Sequence, residues 1–191
     1  MKVLLHTCCG PCASACVPAL RDLGNEVALF FSNSNIDTEA EFEKRLDSAR
    51  KLAEADGVEL VADAYDHADW LEKVAKGLED APEKGARCAK CFRYSLARAA
   101  AWAAAHGHEA FTSSLTVSPH KVSSMVFAAG EDAAWGVSAK ECGGSAAAAP
   151  KFLPVDFKKK DGFLRSTWRA EELGLYRQSY CGCEFSRRNM V

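Results

Sequence analysis

Seven of the nine cysteines fall into three tight knots at widely separated places: Cys8, Cys9 and Cys12, then Cys88 and Cys91, then Cys181 and Cys183. Thiolates so close together repel one another and oxidise readily, so a fold that gathers them needs disulfides or cations. One tetrahedral zinc takes four ligands and leaves three thiolates over. A four-iron cluster also takes four cysteines, and the remaining three can hold a second metal or act on substrate. The count therefore favours more than one metal centre, or one centre with reactive thiols beside it. The CxxC and CxC spacings serve zinc and iron–sulfur chemistry alike and leave both open. The other two thiols read as bystanders: Cys16, one helical turn beyond Cys12, as a small hydrophobe facing a sheet, and Cys142 as part of a Gly/Ala loop.

Each knot has particular local chemistry. Cys8 and Cys9 are adjacent and in extended chain would face opposite ways, so the Gly10-Pro11 turn is needed to bring them round one centre with Cys12. Cys88 and Cys91 stand at a predicted helix start, on one face and near backbone N–H groups that favour thiolate. The run Met1 to Thr7 is too short for a signal peptide, so a cytoplasmic, disulfide-free protein is expected.

The elements that must position these knots follow from the pattern of apolar residues. At 191 residues, 48% hydrophobic and 26% charged, the chain suits a single domain, residues 1–191, with a full core. Predicted strands run over Lys2 to Thr7, Glu26 to Ser32, Val58 to Ala64, Glu109 to Leu115 and Phe152 to Phe157. Predicted helices run over Cys12 to Leu23, Thr38 to Ala55, Ala68 to Glu79, Cys88 to Ala105, Pro119 to Trp135 and Arg165 to Leu173. In the second of these, Phe42, Leu46, Ala49 and Leu52 make one apolar stripe. Such alternation predicts an α/β fold: a mostly parallel five-stranded sheet, Rossmann-like, with helices on both faces. In the order 3-2-1-4-5, the ends of strands one and four flank the switch point where such sheets bind ligands. Cys8, Cys9, Ser113, Ser114 and Thr116 then stand at that point.

The net charge of −2 argues against a uniformly basic nucleic-acid binder but leaves room for a basic patch. Lys158, Lys159, Lys160, Arg165, Arg169, Arg177, Arg187 and Arg188 supply one, interleaved with Trp168, Tyr176 and Tyr180, a mixture that neutralises phosphates and stacks on bases. No apolar run approaches the roughly 20 residues that span a bilayer, and Gly143 to Ala149 reads as a flexible loop. His67, His106 and His108 read as solvated or capping, whereas His6 and His120 lie near strand ends.

Five segments together resemble one family. His6-Thr7-Cys8-Cys9-Gly10-Pro11-Cys12, Arg87-Cys88-Ala89-Lys90-Cys91, Ser118-Pro119-His120-Lys121, Asp156-Phe157-Lys158-Lys159-Lys160-Asp161-Gly162 and Tyr176-Arg177-Gln178-Ser179-Tyr180-Cys181-Gly182-Cys183 look like the cobalamin-independent epoxyqueuosine reductases, the QueH family. The resemblance covers essentially the whole chain. It implies a Rossmann-like domain of the HUP type, a [4Fe–4S] cluster beside a mononuclear iron, and reduction of epoxyqueuosine to queuosine at the wobble position of tRNA. All seven knot cysteines, Cys8, Cys9, Cys12, Cys88, Cys91, Cys181 and Cys183, are then metal and cofactor ligands, four for the cluster and three for the iron. Some members carry Asp where this chain has Cys12, which implies that Cys12 binds the lone iron; the division of the other six stays open. The expected partners are tRNA carrying epoxyqueuosine and a low-potential electron donor, with no membrane. His120 and Tyr180 are candidate proton donors. The rival readings are a zinc-stabilised tRNA-binding module without redox activity, and an ATP-dependent tRNA-thiolating enzyme, which lacks its Gly/Ser-rich phosphate loop here.

Overall fold

In β1 (Lys2–His6), Val3 and Leu5 join the core on one side of the sheet and Leu4 the core on the other, all fully buried. That is the period-two pattern of a strand covered on both faces. The computed structural model describes residues 1–141 and 149–188. Along the chain follow α1 (Gly10–Arg21), β2 (Glu26–Phe31), α2 (Glu39–Asp56), β3 (Leu60–Ala62), α3 (His67–Trp70), α4 (Ala86–Ala105), β4 (Ala110–Ser113), α5 (Ser123–Glu141), β5 (Lys151–Phe152), α6 (Gly162–Glu172) and α7 (Glu184–Arg188). The sheet order is β3-β2-β1-β4-β5 with every pairing parallel, so β1 and β4 meet at the switch point as the alternation predicts. Residues of α1, α2 and α6 cover the Val3/Leu5 face, and residues of α4 and α5 cover the Leu4 face.

Several boundaries differ from those predicted, some for a clear local cause. α1 starts at Gly10 rather than Cys12, because Pro11 fits the first helical turn, where its missing N–H is no loss. α5 starts at Ser123 rather than Pro119: Pro119 and His120 belong to a turn closed by Lys121 N–H on the Ser118 carbonyl at 3.2 Å. It also runs on to Glu141, beyond the predicted end at Trp135. The predicted helix from Ala68 to Glu79 breaks up into α3 and a π turn, Leu71–Ala75, ending at Lys76. β5 is only two residues long, since Pro154 has no N–H to continue a ladder. Cys142 and the predicted flexible loop, apart from Ala149, lie outside the described residues.

Two helices meet unusually closely beside the first knot. A Cβ placed on Gly10 would stand 2.5 Å from the Ser48 carbonyl oxygen of α2, so only glycine lets α1 begin there. Thr38 caps α2 by accepting the Glu41 N–H at 3.3 Å, and the predicted stripe of Phe42, Leu46, Ala49 and Leu52 is buried. Among the described residues, no helix is long and apolar enough to cross a membrane.

Candidate metal centre

The carboxyl end of β1 runs directly into α1, with Cys9 as the extended residue before the helix and Cys12 in its first turn. This early helix start brings the first knot together: the sulfurs of Cys8, Cys9 and Cys12 all lie within 4.8 Å of one another. The end of β4 contributes from the other side of the switch point. Cys8 N–H donates to Ser114 Oγ at 3.1 Å, and that hydroxyl lies 3.4 Å from Cys8 Sγ, as donor to the sulfur. The Cys12 and Cys8 thiols, by hydrogen bonding, hold the Cys9 thiol well below its ordinary pKa despite burial. The proton is kept instead on Cys12, which its two neighbouring sulfurs and burial push well up. Three thiols sharing protons in this way are a site a cation can take over.

The geometry fits one ion. Metal–sulfur bonds of about 2.3 Å in a tetrahedron put sulfurs about 3.8 Å apart, and three protein ligands leave the fourth position free. The Gln178 side chain is one of the groups that lower the Cys9 pKa, and its Oε1 is buried with no partner among the described residues, the kind of orphaned acceptor that a bound group satisfies. Cys16 is different: fully buried in the core, with its thiol donating to the Cys12 carbonyl at 3.3 Å.

The other four cysteines collect at a second place. Cys88 and Cys91 lie in the first two turns of α4, and Cys181 and Cys183 arrive on the segment between α6 and α7. Burial, and then the nearby Cys181 and Cys183, push the Cys91 thiol up. The Lys121 ammonium lies 2.7 Å from Cys181 Sγ and within electrostatic reach of Cys88 and Cys91. These four do not share the tight mutual spacing that the first knot alone shows among the described residues. A looser basket suits a multi-iron cluster, in which each cysteine binds a different iron.

Buried arginines hold the last knot in place. Arg45 of α2, 2% exposed, pairs with Glu41 at 2.8 Å and donates to the Cys181 carbonyl at 3.0 Å and the Tyr180 carbonyl at 3.3 Å. Gly182 takes φ +132, a backbone only glycine adopts freely, and its carbonyl accepts the Asp37 N–H at 2.9 Å. Arg87 donates to the carbonyls of Leu78, Glu79 and Ala81 and lies over the Phe185 ring of α7 at 4.3 Å. The sequence reading missed Arg45, Lys121 and Gln178 as site residues. Only the latter two carried a signal, since they sit inside motifs already singled out for their neighbours.

The remaining candidates are placed as follows. The Tyr180 hydroxyl donates to Asp37 at 2.9 Å and accepts from Arg187 at 2.7 Å. His120 is exposed, on the rim of a shallow depression shared with Cys88, Phe92 and Lys121. His6 is enclosed between Ser113 Oγ at 3.0 Å and the Ser32 carbonyl at 3.1 Å, and burial lowers its pKa to about 4. The basic run is only partly free. Lys158 is tied to the Lys121 carbonyl and Ser123 Oγ, and Arg169 to Asp56 and the Ser14 carbonyl, whereas Lys159, Lys160, Arg165 and Trp168 are exposed.

A family model described as "Epoxyqueuosine reductase QueH" matches residues 3–189. An epoxyqueuosine reductase QueH of Dehalococcoides mccartyi is 33% identical over 186 residues, covering 97% of this chain and 92% of that protein. Those of Thermotoga maritima and Streptococcus pyogenes are each 32% identical, covering 96% and 98% of this chain and 89% and 71% of their own lengths. A match running through all three cysteine knots and nearly the full length places the chain in the epoxyqueuosine reductase QueH family.

Proposed function

We propose that residues 1–191 act as one cytoplasmic reductase domain that converts epoxyqueuosine to queuosine at the wobble position of tRNA. In this reading Cys88, Cys91, Cys181 and Cys183 hold a [4Fe–4S] cluster, and Cys8, Cys9 and Cys12 hold a single iron. The observation that carries the reading is the sorting of seven cysteines into a tight set of three and a looser set of four. When bound, the cluster supplies electrons one at a time and the iron supplies Lewis acidity at its free position.

Removing the epoxide oxygen takes two electrons and two protons, releases water and leaves a cyclopentene ring. The electrons come from a low-potential donor, and the protons need a side chain or water close to the reacting oxygen. Of the two candidates, the Tyr180 hydroxyl directs its proton at Asp37, so His120, exposed and without a side-chain hydrogen bond among the described residues, is the better donor. The exposed Lys159, Lys160 and Arg165 offer phosphate contacts, and Trp168, 60% exposed, offers a stacking surface.

The test is anaerobic purification, iron and sulfide analysis, and reaction with epoxyqueuosine-containing tRNA followed by nucleoside mass analysis. Queuosine should accumulate with a strong chemical reductant. Ala at Cys88, Cys91, Cys181 or Cys183 should remove acid-labile sulfide, while Ala at Cys12 should remove iron and leave sulfide. Protein with stoichiometric zinc and no sulfide would end the cluster reading. Iron-loaded protein that binds the tRNA but leaves the epoxide intact would favour the binding module.

A further inference from the structure

Lys121 has an unusual set of neighbours for a lysine. It closes the turn that begins at Ser118, and its Nζ is largely enclosed, 2.7 Å from Cys181 Sγ and 5.9 Å from the centre of the Phe92 ring. A second lysine fastens it from behind: Lys158 Nζ donates to the Lys121 carbonyl at 2.9 Å and to Ser123 Oγ at 2.7 Å. Among the described residues the Lys121 ammonium makes no salt bridge to a carboxylate; its close partner is sulfur. An enclosed ammonium is costly unless an anion faces it. Here the facing groups are thiols of the four-cysteine set, so the cation is placed for a centre that carries negative charge.

This placement has a redox consequence. Net charge and hydrogen bonds to the sulfurs set the potential of an iron–sulfur centre. Each electron that arrives makes the site more negative, and an adjacent ammonium that also donates to a ligand sulfur stabilises the reduced form over the oxidised one. We propose that Lys121 is a positioning residue that holds the Cys181 sulfur and raises the electron affinity of the four-cysteine centre. The proposal rests on the assignment of a [4Fe–4S] cluster to Cys88, Cys91, Cys181 and Cys183. It asks no acid–base role of Lys121 and no contact with substrate.

The experiment compares wild type, Lys121→Met and Lys121→Arg, each loaded anaerobically, in a dye-mediated redox titration followed by electron paramagnetic resonance. This reads only the centres that are filled and does not depend on turnover. In Lys121→Met the ratio of reduced to oxidised cluster at a fixed potential should fall about tenfold, a shift of about 59 mV for one electron. Lys121→Arg should stay near wild type. A Met variant with the wild-type midpoint overturns the proposal, and so does an Arg variant shifted as far as Met, which would make shape rather than charge decisive. A Met variant that stays empty while the Arg variant fills also overturns it, replacing tuning by a need for charge during assembly. Failure of the underlying cluster assignment is distinct: wild type itself would then hold no sulfide and show no reducible signal.

Discussion

Replacing Arg45 by Met is the sharpest probe of how the last cysteine knot is attached. The guanidinium is 2% exposed and serves three acceptors: Glu41 and the carbonyls of Tyr180 and Cys181. In Arg45→Met, Glu41 is left buried with the Tyr176 hydroxyl at 3.0 Å as its remaining side-chain donor, and the two carbonyls lose their N–H partners. Breaking a buried ion pair by removing one partner costs about 3–5 kcal/mol, most of it from the stranded charge. With a urea slope of about 2 kcal/mol per M, the unfolding midpoint of the metal-free protein should fall by about 2 M. Circular dichroism in a urea series measures this, with iron and sulfide analysis after reconstitution as the second readout. The double variant Arg45→Met/Glu41→Leu removes the stranded carboxylate as well and should regain at least half of the loss. A single variant within about 0.5 M of wild type, or a double variant no better than the single, would refute the account of Arg45 as the clamp.

Four further outcomes follow from other contacts. Gly10→Ala drives a Cβ to 2.5 Å from the Ser48 carbonyl and should cost about 1–3 kcal/mol, with reduced iron retention at the first knot, measured by thermal unfolding and metal analysis. Asp63 is half-buried, and hydrogen bonds from Arg98 and Ser32 overcome the desolvation that would raise its pKa, holding it below the usual carboxylate value. Its contribution to stability is therefore full above the unfolded-state pKa and lost as pH falls through the lower folded value; Arg98→Met should flatten that part of the acid-unfolding curve. Lys159→Ala with Lys160→Ala should weaken tRNA binding and lower its log–log salt slope by about 0.7 to 0.9 per lost contact. Lys158→Ala, whose ammonium is already engaged with Lys121 and Ser123, should instead lower thermal stability.

The sheet was legible because its strands are short apolar runs separated by helices with their own period, and β1 to β5 fall in the expected order. The convergence of Cys8, Cys9 and Cys12 was legible, although Gly10-Pro11, read as a turn, is in fact the first turn of α1. The path of the segment from Tyr176 to Cys183 was not. It is drawn over the carboxyl end of the sheet by Arg45 and Asp37, residues that in sequence look like part of a solvated face. Long-range polar contacts leave no periodic trace, so a buried arginine reads like an exposed one. The basic run after β5 shows the same limit: Lys158 and Lys159 are neighbours in sequence, yet one is a tether and the other an exposed cation. The short helix α7 was missed because five residues are too few to show a period.

The separation of the two halves of the four-cysteine basket matters during biosynthesis. Cys91 precedes Cys183 by 92 residues, and Cys183 is brought in by a segment that follows the last strand of the sheet. At about 5–20 residues per second, a ribosome needs roughly 5–20 s to bridge that interval. For that time the nascent chain carries Cys88 and Cys91 without the partners that gather round them in the folded protein, and exposed thiols are the ones oxidants reach. Under the proposed assignment, filling of the four-cysteine site is consequently a step that follows translation, and its yield should depend on how reducing the surroundings are while the ribosome is still working.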